Sequence, residues 1–244
     1  MKFGVTVLIA LIVLFGALYY LSPSRLVGVN TTRFSAERTS FFAPDDHRIS
    51  ASFYAPKVSG GVKSPALILV HQDYSSRRDF AEFIPKFLDE GFAVLAYDVR
   101  GFGKSSGSDA EFETSYLDTI GALDFLQKSR SIDMDKICVV GLSMGANIAM
   151  AAASADDRIS CTVAASLSQQ ANLILNTISS AVPPKNIFVM TTEAEREAAQ
   201  AMMAKAREPK VLKSYGTTIH GKKLLQDEAR FDEVIEFINK SLGL

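Results

Sequence analysis

Short apolar runs alternate with amphipathic helical stripes along most of this chain, and this alternation limits the folds that it can adopt. The runs at residues 66–70, 92–97 and 137–140 are apolar or aromatic throughout, which is typical of strands buried on both faces of a sheet. The stretches between them carry apolar residues at helical spacing, and helical connections of this kind join parallel strands. The pattern predicts an α/β fold, with a mostly parallel sheet and helices on both faces.

An antiparallel hairpin is predicted before the first of these buried strands. Segments 39–43 and 49–54 flank the sequence APDDHR, whose proline and paired aspartates favour a tight turn. The later strands are predicted at 161–165, 187–190 and 210–215, and the helices at 78–90, 115–127, 144–154, 194–206 and along the stripe from Phe231 to Leu242. Active sites in such sheets lie at the carboxyl ends of the strands.

The strongest chemical signal is the sequence Gly141-Leu142-Ser143-Met144-Gly145. This G-x-S-x-G pattern stands between a predicted strand and a predicted helix, where it indicates a nucleophile elbow that presents the serine hydroxyl above the sheet. Glycines are needed because neighbouring backbone crowds such a turn. The amino end of the following helix also favours a developing oxyanion. Ser143 is therefore the predicted nucleophile.

A serine hydroxyl needs a base near neutral pH, and the chain contains 3 histidines. His47 lies in the predicted hairpin turn. His71 directly follows the strand at 66–70, where it is expected to shape a loop. His220 lies between the last strand and the last helix, which is the position that the chain order serine, acid, histidine requires. His220 is therefore the predicted base.

These motifs resemble those of the α/β-hydrolase family, in its small single-domain form similar to dienelactone hydrolases and esterases. The sequence HQDYSSRRDF, beginning at His71, resembles the family's H-G-x-G-x-S oxyanion loop. Residues 98–105 resemble its D-x-R-G-x-G-x-S loop. The resemblance covers residues 37–244 and implies the sheet described above. The family inserts its lid domain at the place of residues 166–186, which have room for one helix at most, so no sizeable lid is expected.

The resemblance also implies roles for residues that do not react. It assigns the oxyanion hole to the backbone N–H groups of Met144 and Asp73. Gln72 stands where the family has a glycine. Asp98 and Arg100 are expected to organise loops.

The acid of the triad stays open at this point. The family's acid, usually aspartate, follows the strand that corresponds to 187–190, and this chain reads Thr191-Thr192-Glu193-Ala194-Glu195-Arg196 there. Matching the end of the strand puts Glu195 at the acid position, with Glu193 as the second candidate. Thr192 and Glu195 also match a helix capping box, so Glu195 would alternatively be only a cap, and the chain would lack a triad acid.

The motifs together predict a serine hydrolase that cleaves a small carboxylic ester or thioester through an acyl-enzyme. The alternatives are a membrane-tethered, catalytically weakened binding module and an acyltransferase. No cofactor and no metal are expected, because the sequence has neither a dinucleotide fingerprint nor His and Cys at metal-ligand spacing. Lys+Arg number 26 and Asp+Glu 27, so there is no basic field for a nucleic-acid partner.

The amino-terminal segment forms a separate unit. Residues 3–24 carry no charge, and the strongly apolar part, 4–21, approaches the ~20 residues that cross a bilayer as a helix. An uncleaved anchor is favoured over a cleaved signal peptide and over a buried core helix. The predicted organisation is an anchor or signal at 1–25, a tether at 26–36 and the hydrolase domain at 37–244. The domain is expected outside the cytoplasm, anchored to the membrane, or secreted or periplasmic if the segment is cleaved.

Cys138 and Cys161 lie in two apolar, strand-like runs. Two buried free thiols are predicted, because neighbouring parallel strands rarely present the Cα spacing of a relaxed disulfide.

Overall fold

The computed structural model describes residues 33–57, 61–168, 170 and 182–244. The predicted anchor at 1–25 lies outside the described residues, and so does the tether up to residue 32. Within the described ranges, no helix is long and apolar enough to cross a membrane. The first strand begins at Phe34, so residues 34–36, assigned above to the tether, belong to the sheet.

Eight strands form one sheet. They are β1 Phe34–Phe42, β2 Arg48–Pro56, β3 Ser64–Val70, β4 Ala93–Tyr97, β5 Ile132–Leu142, β6 Cys161–Ala165, β7 Ile187–Thr192 and β8 Lys210–Tyr215. Their order is β1-β2-β4-β3-β5-β6-β7-β8. β2 pairs antiparallel with β1 and with β4, and the pairs from β4 to β8 are parallel. The predicted mostly parallel sheet with an amino-terminal antiparallel hairpin is confirmed.

Six α-helices and three short 3₁₀ helices are present in the described part of the chain. The α-helices are α1 Ile84–Asp89, α2 Tyr116–Gln127, α3 Met144–Ala155, α4 Arg196–Ala204, α5 Lys222–Leu225 and α6 Glu228–Leu242. The 3₁₀ helices are Arg77–Phe80, Asp109–Thr114 and Glu193–Glu195. The prediction of one helix over 78–90 is wrong, because Pro85 stands in the first turn of α1. A proline inside a continuous helix would remove a hydrogen bond and clash with the carbonyl of Ala81.

The helices cover both faces of the sheet, as predicted. Successive strand residues point to opposite faces. Leu67 packs into the cluster that includes Phe87 of α1 and Phe231 of α6. Ile68 packs into the cluster that includes Leu123 of α2 and Ile148 of α3. A third cluster joins α3 and α4 to β6 and β7. The sheet is therefore the buried middle layer of three.

The sequence motifs fall at one edge of this sheet. Val70 at the end of β3 pairs with Gly141 of β5, and Thr192 at the end of β7 pairs with Tyr215 at the end of β8. Because these strands are parallel, the loops that follow them leave the sheet on the same side. Residues 169 and 171–181, which include most of the segment expected to lack a lid domain, lie outside the described residues.

The prediction of two free thiols is wrong, because the structure joins Cys138 and Cys161 in a disulfide. The two residues are register partners on β5 and β6, and their Cα atoms are 4.6 Å apart. That separation lies inside the range that disulfides use. Register partners on parallel strands point to the same face, and the sequence did not reveal the register.

Candidate active site

Ser143 lies in a turn whose backbone few residues adopt. It follows β5 and precedes α3 with φ 51° and ψ −113°, and a positive φ is costly for any residue with a side chain. A Cβ added at Gly145 would meet the carbonyl oxygens of Val70 and His71. The N–H of Ser143 donates to the carbonyl of Ala165 at 2.8 Å. These contacts hold the sharp strand-to-helix turn that the sequence pattern predicts.

His220 lies between Ser143 and Glu195. Its Nε2 is 2.7 Å from Ser143 Oγ, and its Nδ1 is 2.5 Å from Glu195 Oε1. A carboxylate only accepts, so Nδ1–H donates to Glu195 and Nε2 is left to accept from the serine hydroxyl. The His220 side chain is 55% exposed and that of Glu195 is 20% exposed. The three predicted residues thus meet in the order that general-base activation of a serine needs.

Glu195 contacts His220 and caps a helix at the same time. While Oε1 faces His220, Oε2 accepts from the N–H of Thr192 at 3.2 Å, which completes a capping box. The two interpretations of Glu195 are therefore compatible, because a carboxylate has two oxygens to share. Glu193 faces elsewhere: it accepts from Ser214 Oγ at 2.8 Å and from Arg196 at 3.3 Å.

The position after His220 requires a glycine. Gly221 has φ +60° and ψ −128°, a combination that residues with a Cβ avoid. Its N–H donates to Ser166 Oγ at 2.9 Å. Sequence reasoning missed Ser166, and the only available signal was its place directly after β6. The hydroxyl of Ser166 ties the histidine turn to the centre of the sheet.

His71 shapes the loop after β3, as expected. It is fully buried, and its Nδ1 donates to the carbonyl of Gln72 at 2.7 Å. Its Nε2 accepts from the N–H of Val99 at 2.9 Å. Burial lowers the pKa of His71 below its usual value, which keeps the ring neutral. A neutral imidazole has one nitrogen that donates and one that accepts, as these two contacts require.

The two N–H groups assigned to the oxyanion hole belong to neighbouring loops. Met144 begins α3, so its N–H is among those that have no acceptor inside the helix. Asp73 lies on the loop that follows β3, the strand next to β5. The Asp73 side chain is turned along its own loop, since Oδ1 accepts from the N–H of Tyr74 at 2.9 Å.

Asp98 and Arg100 are buried and bind to loops around the site. Asp98 forms an ion pair with Arg77 and also accepts from the N–H of Arg77 at 3.0 Å. Arg100 lies 2.7 Å from Asp118 and 2.6 Å from Asp45, each measured from guanidinium nitrogen to carboxylate oxygen. These contacts join the hairpin, α2 and the loop after β4, which agrees with a loop-organising role.

His47 lies in the hairpin region, within 3.4 Å of Asp45 and 3.2 Å of Glu111. Within the ranges that the structure describes, no group of three or more His, Cys, Asp and Glu side chains is arranged to hold a metal ion.

About half of the chain is similar in sequence to known proteins. The family model of the alpha/beta hydrolase fold matches residues 65–187. An uncharacterized 31.7 kDa protein from the traX-finO intergenic region of Escherichia coli is 31% identical over 125 residues, which are 48% of this chain and 43% of that protein. The putative hydrolase YtaP of Bacillus subtilis (strain 168) is 31% identical over 139 residues, 46% of each chain. The chain therefore spans less than half the length of these curated relatives.

A solved structure resembles this one over most of both chains. The crystal structure of acetyl xylan esterase 1 from Thermoanaerobacterium sp. JW/SL YS485 superimposes with a TM-score of 0.71 at 17% identity, covering 87% of this chain and 85% of that one. At this identity the likeness concerns the fold. The family model includes Ser143 and ends before Glu195 and His220, so the placement of those two residues depends on the geometry of this structure.

Proposed function

Because this chain belongs to the alpha/beta-hydrolase family, we propose that it is a serine hydrolase that cleaves a carboxylic ester or thioester through an acyl-enzyme on Ser143. The observation that carries the proposal is the continuous hydrogen-bonded path from Glu195 through His220 to Ser143, with steps of 2.5 Å and 2.7 Å. A serine hydroxyl is a weak nucleophile until an oriented base takes its proton.

In the proposed reaction, His220 Nε2 takes the hydroxyl proton while Ser143 Oγ attacks the carbonyl carbon. The backbone N–H groups of Met144 and Asp73 stabilise the resulting oxyanion. His220 then gives the proton to the leaving alcohol or thiol, and the acyl group stays on Ser143. Water repeats the sequence and releases the acid. Glu195 keeps Nδ1 protonated and stabilises the imidazolium that forms in each half.

The path also favours an enzyme over the catalytically weakened binding module. That alternative drew support from Gln72 and Asp73 in the oxyanion loop and from the absence of an aspartate after β7. Glu195 accepts from His220 at 2.5 Å, so a glutamate supplies the carboxylate at this position. The site lies open enough for a substrate to reach it, because the His220 side chain is 55% exposed.

The proposal is tested with a fluorophosphonate probe, which labels an activated serine without knowledge of the substrate. We expect the wild type to be labelled and Ser143→Ala to remain unlabelled, with nearly unchanged melting temperatures. Ser241→Ala, on the remote helix α6, is the matched control and should label like the wild type. Equal labelling of Ser143→Ala and the wild type would rule out Ser143 as the nucleophile.

We further propose that residues 1–25 attach the protein to a membrane and place the domain outside the cytoplasm. The support is the uncharged run at 3–24, whose length approaches the ~20 residues of a spanning helix. Full-length protein should fractionate with membranes, and a variant lacking residues 1–32 should be soluble. Full-length protein found in the soluble fraction, with a new amino terminus near Arg25, would indicate a cleaved signal instead.

A further inference from the structure

The turn that carries His220 depends on contacts with other loops for its position. Residues 216–221 connect β8 to α5 without helix or strand. The His220 side chain is 55% exposed, so packing around the ring is incomplete. A displacement of about 1 Å at a reacting group can cost about 10²-fold in rate. Whatever holds this turn therefore affects the activity.

One contact to the turn comes from the backbone of Lys222. Its N–H donates to Gln72 Oε1 at 3.2 Å, and Lys222 follows His220 by two residues. The absence of a side chain at Gly221 makes this approach possible, because a Cβ there would meet Gln72 Oε1. The same Cβ position is 3.9 Å from Ser143 Cβ. The Gln72 amide thus lies beside both the nucleophile and the histidine turn.

A second contact comes from the side chain of Lys222. Its ammonium nitrogen is 3.7 Å from Asp79 Oδ1. Asp79 is only 6% exposed, and within the described part of the chain its Oδ2 has no hydrogen-bond partner. A buried carboxylate with so few partners strongly favours a neighbouring cation. Asp79 is therefore expected to restrain the side chain of Lys222.

Both acceptors lie on the stretch that follows β3. Gln72 precedes Asp73, whose N–H is the proposed oxyanion donor, and Asp79 lies in the 3₁₀ helix Arg77–Phe80 that ends this stretch. Lys222, two residues after the proposed base, is thus attached at two points to the loop of the proposed oxyanion hole. The proposed reaction assigns no role to Lys222, Gln72 or Asp79.

We propose that Lys222 is a positioning residue that locks the His220 turn to the oxyanion loop, through Gln72 at its N–H and through Asp79 at its ammonium group. We name these three residues the Lys222 clamp. The proposal rests on the proposed function, since it concerns the distance between the base and the oxyanion hole. The clamp acts through His220 and Asp73 and does not touch the reacting atoms.

The ammonium contact is tested with Lys222→Met and its neighbour Lys223→Met, an exposed residue on the same short helix. We expect Lys222→Met to lower kcat on p-nitrophenyl acetate about tenfold and to change KM less than about twofold. The expected loss in kcat is smaller than the about 10²-fold loss that a 1 Å displacement of a reacting group can cause. Lys223→Met should match the wild type, and Lys222→Arg should recover most of the loss. Equal rates for the Met variants, or no recovery by Arg, would overturn the proposal.

The backbone contact is tested at Gln72. Gln72→Met removes the acceptor, whereas Gln72→Glu keeps an oxygen facing the N–H of Lys222. We expect the methionine variant to lose about tenfold in kcat and to add little to Lys222→Met in the double variant, because both changes act through one turn. Full activity of Gln72→Met, or losses that simply multiply in the double variant, would contradict a shared clamp.

Amide hydrogen exchange of the full-length protein separates the clamp from the proposed function. Peptides covering residues 216–222 should exchange faster in Lys222→Met than in the wild type and in Lys223→Met. If the wild type has no esterase activity and no probe labelling, the proposed function fails, and the exchange result still decides whether the clamp exists. An active wild type with unchanged exchange in Lys222→Met would overturn the clamp alone.

Discussion

Ser143 and His220 meet within hydrogen-bonding distance, yet different kinds of contact place them. Ser143 is held by backbone: its φ is 51° and its N–H bonds to Ala165. Two residues later, Gly145 packs against carbonyls at the end of β3 and directly after it. His220 is held by side chains, from Glu195 and Ser143, which are 25 and 77 residues away in sequence. The proposed nucleophile lies on a turn directly after β5, a central strand of the sheet, and the proposed base lies on an exposed turn.

This difference separates what each region contributes. A backbone-built turn is rigid because the sheet surrounds it, so damage there should appear as lost stability together with lost activity. A side-chain path over an exposed turn adds little to stability, so damage there should appear as lost activity alone. The four predictions below test this division, from the largest expected effect to the smallest.

Removing the proposed base should cost the most activity. We expect His220→Ala to lower kcat on p-nitrophenyl acetate by about 10⁴- to 10⁶-fold, as for loss of a triad base. Stability should change by less than about 0.5 kcal/mol, as for an exposed residue. The matched control is His47→Ala, since His47 contacts Asp45 and Glu111 in the hairpin region. If the two variants lose activity alike, His220 is not the base and the comparison fails.

Neutralising the proposed acid, Glu195, should have the next largest effect. Glu195→Gln retains an oxygen to cap the N–H of Thr192, and it can present an amide N–H to His220 Nδ1. That arrangement favours the wrong imidazole tautomer, so we expect kcat to fall about 10²- to 10⁴-fold. Stability should fall by about 1 kcal/mol or less, the size of a cap effect. Glu193→Gln should keep the wild-type rate, because Glu193 bonds to Ser214 and Arg196.

The opposite result would be equally informative. If Glu195→Gln and Glu193→Gln both turn over ester at the wild-type rate, Glu195 is a helix cap and His220 works without an oriented carboxylate. Urea unfolding of both variants measures the cap separately from the reaction.

The same difference explains which parts of the site the sequence could predict. Gly141, Ser143 and Gly145 lie within five consecutive residues. Their backbone requirements are local, so the elbow could be predicted from this short pattern. Glu195 was left open because a capping box and a triad acid require the same residue type at the same place. Ser166 was missed, since its role depends on a contact with Gly221, 55 residues away, and its place directly after β6 was a weak signal.

Within the elbow, crowding should reduce stability. A Cβ at Gly145 would meet the carbonyl oxygens of Val70 and His71, and buried strand backbone yields little. We expect Gly145→Ala to destabilise the protein by about 1–3 kcal/mol, the usual cost of overpacking, and to lower kcat as Ser143 shifts. Gly216→Ala is the control, because a Cβ there meets nothing within 4 Å. Equal urea midpoints for the two variants would show that the elbow is not close-packed.

The fold shows the same difference: features set by local sequence could be predicted, and features set by contacts between distant segments could not. The alternation of apolar runs with helical stripes predicted the strand types, and β6 and β8 have the predicted bounds. The prediction of one helix over 78–90 failed because it followed the apolar stripe alone, whereas Pro85 stands in the first turn of α1. The prediction of two free thiols failed because the register that makes Cys138 and Cys161 partners is a property of two strands together.

The smallest effect is expected from His71, whose buried ring bonds to the loop after β3 that carries the proposed oxyanion donor. Burial lowers its pKa in the folded protein, whereas the unfolded chain should titrate near 6.5. Between those two pKa values the unfolded state binds more protons than the folded state, so stability should fall as the pH falls below about 7. The slope cannot exceed about 1.4 kcal/mol per pH unit for one proton. For this one group the loss between pH 7 and pH 5.5 should therefore be at most about 1 kcal/mol.

The measurement is urea unfolding at several pH values for the wild type and for His71→Gln, which retains a donor and an acceptor but does not titrate. The difference between the two curves isolates His71, because the other titrating groups are common to both proteins. Among them, Asp118 acts with the opposite sign: burial raises its pKa to about 6, so it adds stability as the pH falls through that value. Parallel curves for the two proteins would mean that the His71 ring is hydrated in solution. The backbone-built side of the site would then be less closed than the side-chain-built side, which is the reverse of what the contacts predict.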